Sequence, residues 1–323
     1  MVLVVLGIDA LDPDLVEPEA HPNLTLASYR EISTINSAEG EPSTHELWPT
    51  IITGLRPEKH GLVLEDGVAW ENPVLSVGST AANVLLPDSV RTRIGAWLLN
   101  NTEEDAFRVP ATYYSDNGFT TVFDGRDAAP IGIPNYVVDV DAEDREHSLR
   151  RSLGDLFERD PEAKGGHTSA DPFEFYEQCL EMSMVRIARA RRALRGGRSE
   201  LVFAYTSGLD LVGHVTYDLP DLQRQAYDEL DEFVGELYGD LGDDDELLLV
   251  SDHGLQDGVH TESALVAATS PELVDGIDSV VDVRAAIDEE LSRRDHAARE
   301  SPETVEREDG TAVKEQLEDL GYL

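Results

Sequence analysis

Three short apolar runs organise the chain: Val2–Leu6, Leu201–Thr206 and Leu247–Val250. Each is continuous and not alternating, the pattern of a strand buried on both faces of a parallel sheet. Each also runs straight into residues that can ligate metals. The first leads to Gly7-Ile8-Asp9, and the second to Ser207-Gly208-Leu209-Asp210, with His214 four residues further on. The third leads to Ser251-Asp252-His253-Gly254, with His260 six residues beyond the glycine. Ligands of open α/β sheets bind just outside the carboxyl ends of the strands. The pattern therefore predicts an α/β domain with carboxylates and imidazoles gathered on one sheet edge, and a tight turn at Gly254. The plainer reading, strands that merely end in polar turns, loses weight because the same residue types recur three times.

Helical spacing fills much of the rest. Tyr227, Leu230, Phe233, Val234 and Leu237 mark the core face of one helix, and residues 172–195 read as a long Arg-rich one. Pro42–Gly61 holds a further helix whose start offers Ser43 and Thr44, with Glu46 three residues after Ser43 as in a capping box. A hydroxyl at a helix N-terminus lies in a field that favours an alkoxide and attracts an anion. It can equally be a simple cap. Asp12-Pro13 resembles a helix start, which makes Asp12 structural and Asp9 the better ligand. Arg93–Leu99 reads as a strand, 109–136 as loops, and Gly165–Ser169 as a flexible connector. His60 is expected to brace the turn after the Pro42–Gly61 helix and His45 to touch a substrate. His21, His147, His167 and His296 are expected at the surface.

Composition narrows the setting. The 323 residues carry 66 acidic and 25 basic side chains, a net charge of −41, and only three of the bases are Lys. Such a surplus keeps a protein soluble but self-repelling, and salt relieves the repulsion; the Debye length is about 3 Å at molar salt. The balance reads as adaptation to high salt. Regular apolar runs argue against disorder before about residue 293. A chain this acidic is repelled by nucleic acid. One Cys, Cys179, permits no disulfide within the chain, which suits the cytoplasm. The first residues lack a basic region before Asp9, so no signal peptide is expected. No apolar run approaches the roughly 18 residues of a membrane span.

In order, Asp9, a hydroxyl before Thr53-Gly54, Pro57, His60-Gly61, Asp210-x-x-Gly213-His214, Ser251-Asp252-His253-Gly254 and His260 resemble the alkaline phosphatase superfamily, closest to its type I phosphodiesterase/nucleotide pyrophosphatase branch. The resemblance spans roughly residues 2–290. It implies a doubly wound, mostly parallel sheet with helices on both faces, and two divalent metals at the strand ends. Carried onto this sequence, one metal falls to Asp210, His214 and His260. The other falls to Asp9, Asp252, His253 and the nucleophile, which the distance from Thr53-Gly54 places at Thr44. Zinc or manganese suits such mixed N/O ligands. The implied activity is hydrolysis of small phosphodiesters or phosphomonoesters through a phospho-threonine. The alternatives are a phosphonate hydrolase or phosphotransferase of the same superfamily, and a non-catalytic metal-binding relative. One departure matters: relatives often carry an Asn shortly after the nucleophile that touches a phosphate oxygen, whereas here Glu46 and Leu47 stand there. The expected organisation is a domain over 1–292 with an insert within about 65–195, then a polar tail over 293–323 ending in a short helix.

Overall fold

The computed structural model describes residues 1–37, 40–63, 108–142, 145–160 and 162–300. The strand expected at Arg93–Leu99, much of the insert and the 301–323 end of the tail lie outside them. The strands are β1 (Leu3–Ile8), β2 (Ser28–Ser33), β3 (Ala128–Ile131), β4 (Glu158–Arg159), β5 (His167–Thr168), β6 (Leu201–Thr206), β7 (Glu246–Val250), β8 (Gly254–Gln256), β9 (Val259–Thr261) and β10 (Ser263–Ala268). Six of them form one sheet in the order β2-β10-β7-β1-β6-β3. β7, β1, β6 and β3 run parallel, while β10 is antiparallel to both its neighbours.

The continuous apolar runs make sense in this sheet because their residues feed two cores. Val4, Leu6, Ile8, Val202, Ala204, Leu247 and Leu249 face one layer, with the helices Pro172–Gly196, Gly208–Thr216 and Pro220–Tyr238. Leu3, Val5, Leu201, Phe203, Leu248 and Val250 face the other, with the helices Thr44–Thr53 and Val283–Glu300. This is the period of two of a pleated strand, with both sets apolar. The final helix continues through Arg293 to Glu300.

Several local expectations change. The stretch 109–136 contains a short helix, Thr112–Asp116, and β3. Pro130 hides that strand in the sequence and is tolerated because β3 is a sheet edge. Asp12-Pro13 starts a turn and no helix: the Asp12 carboxylate accepts from the amide of Asp14 and from Gln256 Nε2. Gly165–Ser169 is no loose connector, since His167–Thr168 pairs with β4. His21 is buried, and its Nδ1 accepts from the Glu17 amide. His167 is half-buried and stacks on Phe157 at 4.3 Å. The side chains of His147 and His296 lie outside the described residues.

Candidate active site

Parallel pairing puts the carboxyl ends of β1, β6 and β7 on one edge. Gly7 pairs with Val250, so Asp9 and Asp252 each sit two residues beyond the same rung. Ile8 pairs with Thr206, and the chain then turns into the Gly208–Thr216 helix, which presents Asp210 and His214 one turn apart. His260 arrives on the β8–β9 hairpin. Its two-residue loop, Asp257-Gly258, has φ of 53° and 79°, the positive pair that a type I′ turn requires. Gly254 does not turn with positive φ. It is needed because a Cβ there would stand 2.4 Å from Asp12 Oδ2 and 2.5 Å from Thr261 Oγ1.

The Thr44–Thr53 helix is pressed against β1. A Cβ on Gly7 would lie 2.3 Å from Trp48 Cη2, so the glycine leaves room for the indole. Pro49, inside this helix, has no N–H for the carbonyl of His45, and Asn135 Nδ2 donates to that carbonyl instead at 2.8 Å. Ser43 is the N-cap residue, but its hydroxyl makes no capping bond, so the expected capping box does not form. Thr50 Oγ1 bonds back to the Glu46 carbonyl and lies 3.1 Å from His60 Nε2, so His60 does brace this region. Thr44, at the tip, points to the sheet edge. Its Oγ1 lies 3.2 Å and 3.3 Å from the two Asp9 oxygens and 3.1 Å from His253 Nε2.

Two ligand triads result, Asp9/Asp252/His253 and Asp210/His214/His260, with the donor atoms of each within 4.8 Å of one another. The His253 and His260 rings stack at 4.0 Å, so the triads are neighbours. Each of the three imidazoles donates Nδ1–H to a backbone carbonyl: His253 to Gly254, His214 to Gly258, His260 to Pro42. That fixes the tautomer and turns Nε2 inward. The Nε2 atoms of His214 and His260 then face each other at 3.0 Å, both 3.3 Å from Asp210 Oδ1. Two inward ring nitrogens and a carboxylate oxygen at one point form a set that can hold a cation.

The carboxylates make the same case. By hydrogen-bond geometry neither oxygen of the fully buried Asp252 nor Asp210 Oδ1 is satisfied among the described residues, and their neighbours are the ring nitrogens of His253, His214 and His260 at 3.3–3.5 Å. Buried carboxylates short of hydrogen bonds are costly, and a bound cation would remove that cost. Burial first, then the Asp9 charge, pushes the Asp252 carboxyl well above its usual range. Burial alone would raise Asp210 too, but His214 and His260 outweigh it and hold it well below. Burial opposes charge on His253, yet Asp252 and Asp9 raise it to about 10. The donors fit divalent cations, and all seven residues singled out in the sequence converge here.

The profile of the type I phosphodiesterase/nucleotide pyrophosphatase family matches residues 3–320, nearly the whole chain. The chain belongs to that family. It is thus a hydrolase of the alkaline phosphatase superfamily. No curated protein is matched by the sequence. Among solved structures, murine ectonucleotide pyrophosphatase/phosphodiesterase 5 is similar with a TM-score of 0.39 and 16% identity, covering 79% of this chain and 57% of its own. The alkaline phosphatase of the Antarctic bacterium TAB5 gives 0.43 and 12%, covering 90% and 97%. Phosphonoacetate hydrolase from Sinorhizobium meliloti 1021 gives 0.42 and 15%, covering 79% and 56%.

Within this family member the triads open into a cavity of about 430 Å³ lined by Asp9, Thr44, His45, Tyr205, Asp210 and His260, with Arg150 and Glu41 among its other walls. His45 is one of the residues lining this cavity. Burial, with Arg150 adding, pushes its imidazole down to about 3, so it is neutral there. Two residues were not foreseen. Tyr205 Oη donates to Asp9 Oδ2 at 2.5 Å from inside β6, and Arg150 comes from the helix Arg145–Ser152. Tyr205 could have been suspected from its place one residue before the end of a buried strand. Among the described residues no helix is long and apolar enough to cross a membrane.

Proposed function

We propose that this protein hydrolyses small phosphate esters through a covalent intermediate on Thr44, with one divalent cation at each triad. The observation that carries the reading is Thr44 Oγ1 at the tip of its helix, 3.1–3.3 Å from Asp9 and His253 and open to the cavity shared with Asp210 and His260. The N/O donor sets suit zinc or manganese. When bound, the cations would supply the positive charge that lowers the pKa of the attacking hydroxyl and stabilises the leaving oxygen.

The chain's own groups do the rest. Asp9 accepts the Thr44 hydroxyl and aims it, and Tyr205 holds the Asp9 carboxylate in place from the other side. The helix N-terminus favours the alkoxide that forms as the proton leaves to solvent. The Thr44 oxygen then bonds to phosphorus as the ester P–O bond breaks, and the departing alkoxide takes a proton from water. In the second step a water oxygen bonds to phosphorus and the Thr44 O–P bond breaks. Phosphate departs, or a phosphate monoester where the substrate was a diester, and the hydroxyl regains its proton. Two cations contribute four positive charges against three carboxylates and one alkoxide, so an anionic substrate meets no net repulsion at the centre.

The test is Thr44→Ala in the metal-loaded protein. Loss of the nucleophile should cut turnover on the order of a thousandfold or more. Thr44→Ala also removes the bond to Asp9, so stability should fall by about 1–3 kcal/mol while the variant still folds. Acid quench of the wild type during turnover should leave phosphate on the peptide bearing Thr44. Near-normal rates in Thr44→Ala would sink the reading; the same rates with loss in Ser43→Ala would move the nucleophile by one residue.

A further inference from the structure

We propose that Arg150, from the helix Arg145–Ser152, is the anion-binding side chain that selects a terminal phosphate monoester over a diester at this site. The inference rests on the phosphate-ester reading above.

The sequence leaves a gap where relatives carry a phosphate-touching Asn, because Glu46 and Leu47 occupy those positions, and both are buried residues of the Thr44–Thr53 helix. Arg150 lines the same cavity as Thr44, Asp9, Tyr205 and Asp210. It is exposed to that cavity, and its guanidinium has neither hydrogen bond nor ion pair among the described residues. Acids outnumber bases 66 to 25 in this chain, and Arg30, Arg126, Arg186, Arg191, Arg195 and Arg284 each hold a carboxylate. A guanidinium kept from carboxylates beside a hydrolytic site is available to an incoming anion. Its field reaches the residue next to Thr44, since it contributes to the depressed pKa of His45.

The helix that carries Arg150, Arg145–Ser152, is not loosely attached. One turn before Arg150, Glu146 is buried; it pairs with the equally buried Arg186 and accepts from Ser207 Oγ at 3.0 Å. Ser207 is the residue that starts the helix bearing Asp210 and His214. Gly132 closes the arrangement: a Cβ there would overlap the Arg186 guanidinium, 2.0 Å from Cζ. The Arg145–Ser152 helix is thus tied to the Pro172–Gly196 helix by the buried Glu146–Arg186 pair and to the N-cap of the ligand helix by the Ser207 hydrogen bond, which holds Arg150 over the cavity.

The fork of an Arg matches two oxygens of one phosphate. During in-line displacement a monoester presents three equatorial non-bridging oxygens and carries two negative charges. A diester presents two, one charge, and a second ester group. Two oxygens remain for the fork more readily with the monoester. Glu41, exposed on the same cavity, offsets the charge of Arg150 one for one, so removing the Arg leaves that carboxylate facing the substrate.

Arg150→Gln is compared with wild type in the metal-loaded protein, by calorimetric binding of inorganic phosphate and by kcat/KM on 4-nitrophenyl phosphate and bis(4-nitrophenyl) phosphate. Phosphate affinity and monoester kcat/KM should fall on the order of ten- to a hundredfold, the range for one lost charge-assisted hydrogen bond. Diester kcat/KM should stay within a few-fold, and metal content should not change. Arg150→Lys should restore part of the loss, and Glu41→Gln should tighten phosphate. Equal losses on both esters, or unchanged phosphate binding, would overturn the assignment. If wild type turns over neither ester, the hydrolase reading fails, and phosphate binding alone still decides the role of Arg150.

Discussion

Adding one methyl group at Gly165 tests whether the backbone before β5 shapes the Asp210/His214/His260 triad. Gly165 has an ordinary φ, so alanine is not excluded by backbone conformation. A Cβ there would stand 2.4 Å from the carbonyl oxygen of His214 and 3.2 Å from Tyr217 Cε1. Ordinary contact begins near 3.4 Å, so the His214 backbone must give way by about 1 Å. It cannot do so freely. A Cβ on Gly258 would in turn lie 2.7 Å from Gly165 Cα, and the Gly258 carbonyl takes the His214 Nδ1 proton at 3.1 Å. Overpacking of this kind costs about 1–3 kcal/mol. Loss of an outer partner of a metal-bound imidazole costs about ten- to a hundredfold in metal affinity. Gly165→Ala should therefore weaken one cation site by that factor and leave the Asp9/Asp252/His253 site near wild type. Competition with a chromophoric chelator reads the two affinities. Gly166→Ala is the control: φ is +69° and no atom lies within 4 Å, so it should cost about 1 kcal/mol of stability and no metal affinity. Two wild-type affinities in Gly165→Ala, or equal damage from Gly166→Ala, would refute the argument.

Tyr205→Phe removes the only side chain from β6 that bonds Asp9; denaturant unfolding should show a loss of about 1–3 kcal/mol, the cost of leaving a buried charged group short of a partner. With −41 net charge, far-ultraviolet circular dichroism should show the fold loosening as salt falls from molar to millimolar. Unchanged spectra across that range would contradict the reading of the composition as salt adaptation.

The sequence made the sheet and its ligand edge legible because the signal was redundant. β1, β6 and β7 are buried on both faces, so each appears as an unbroken apolar run, and each ends on a carboxylate or imidazole within four residues. What stayed hidden depends on partners far away in the chain. Tyr205 looks like one more aromatic of a core strand; its hydroxyl acquires a role only because β1 lies alongside in the register Gly7↔Tyr205 and delivers Asp9 two residues later. Ser43 carries the sequence signature of a cap, yet Thr44 beside it holds the contacts that matter, since the helix tip faces the site and not solvent. The glycines show the limit most sharply. In sequence, Gly165-Gly166 reads as freedom. In the structure the second fits that reading, with positive φ and open space around it. The first is the opposite: an ordinary backbone conformation, with a missing side chain that lets three backbone segments meet at His214. Local chemistry cannot separate the two, because the same absent Cβ is entropy in one place and packing volume in the other. Only the hairpin that brings Gly258 under His214 decides which it is, and that hairpin was itself announced by nothing more than Asp257-Gly258 between two short strands.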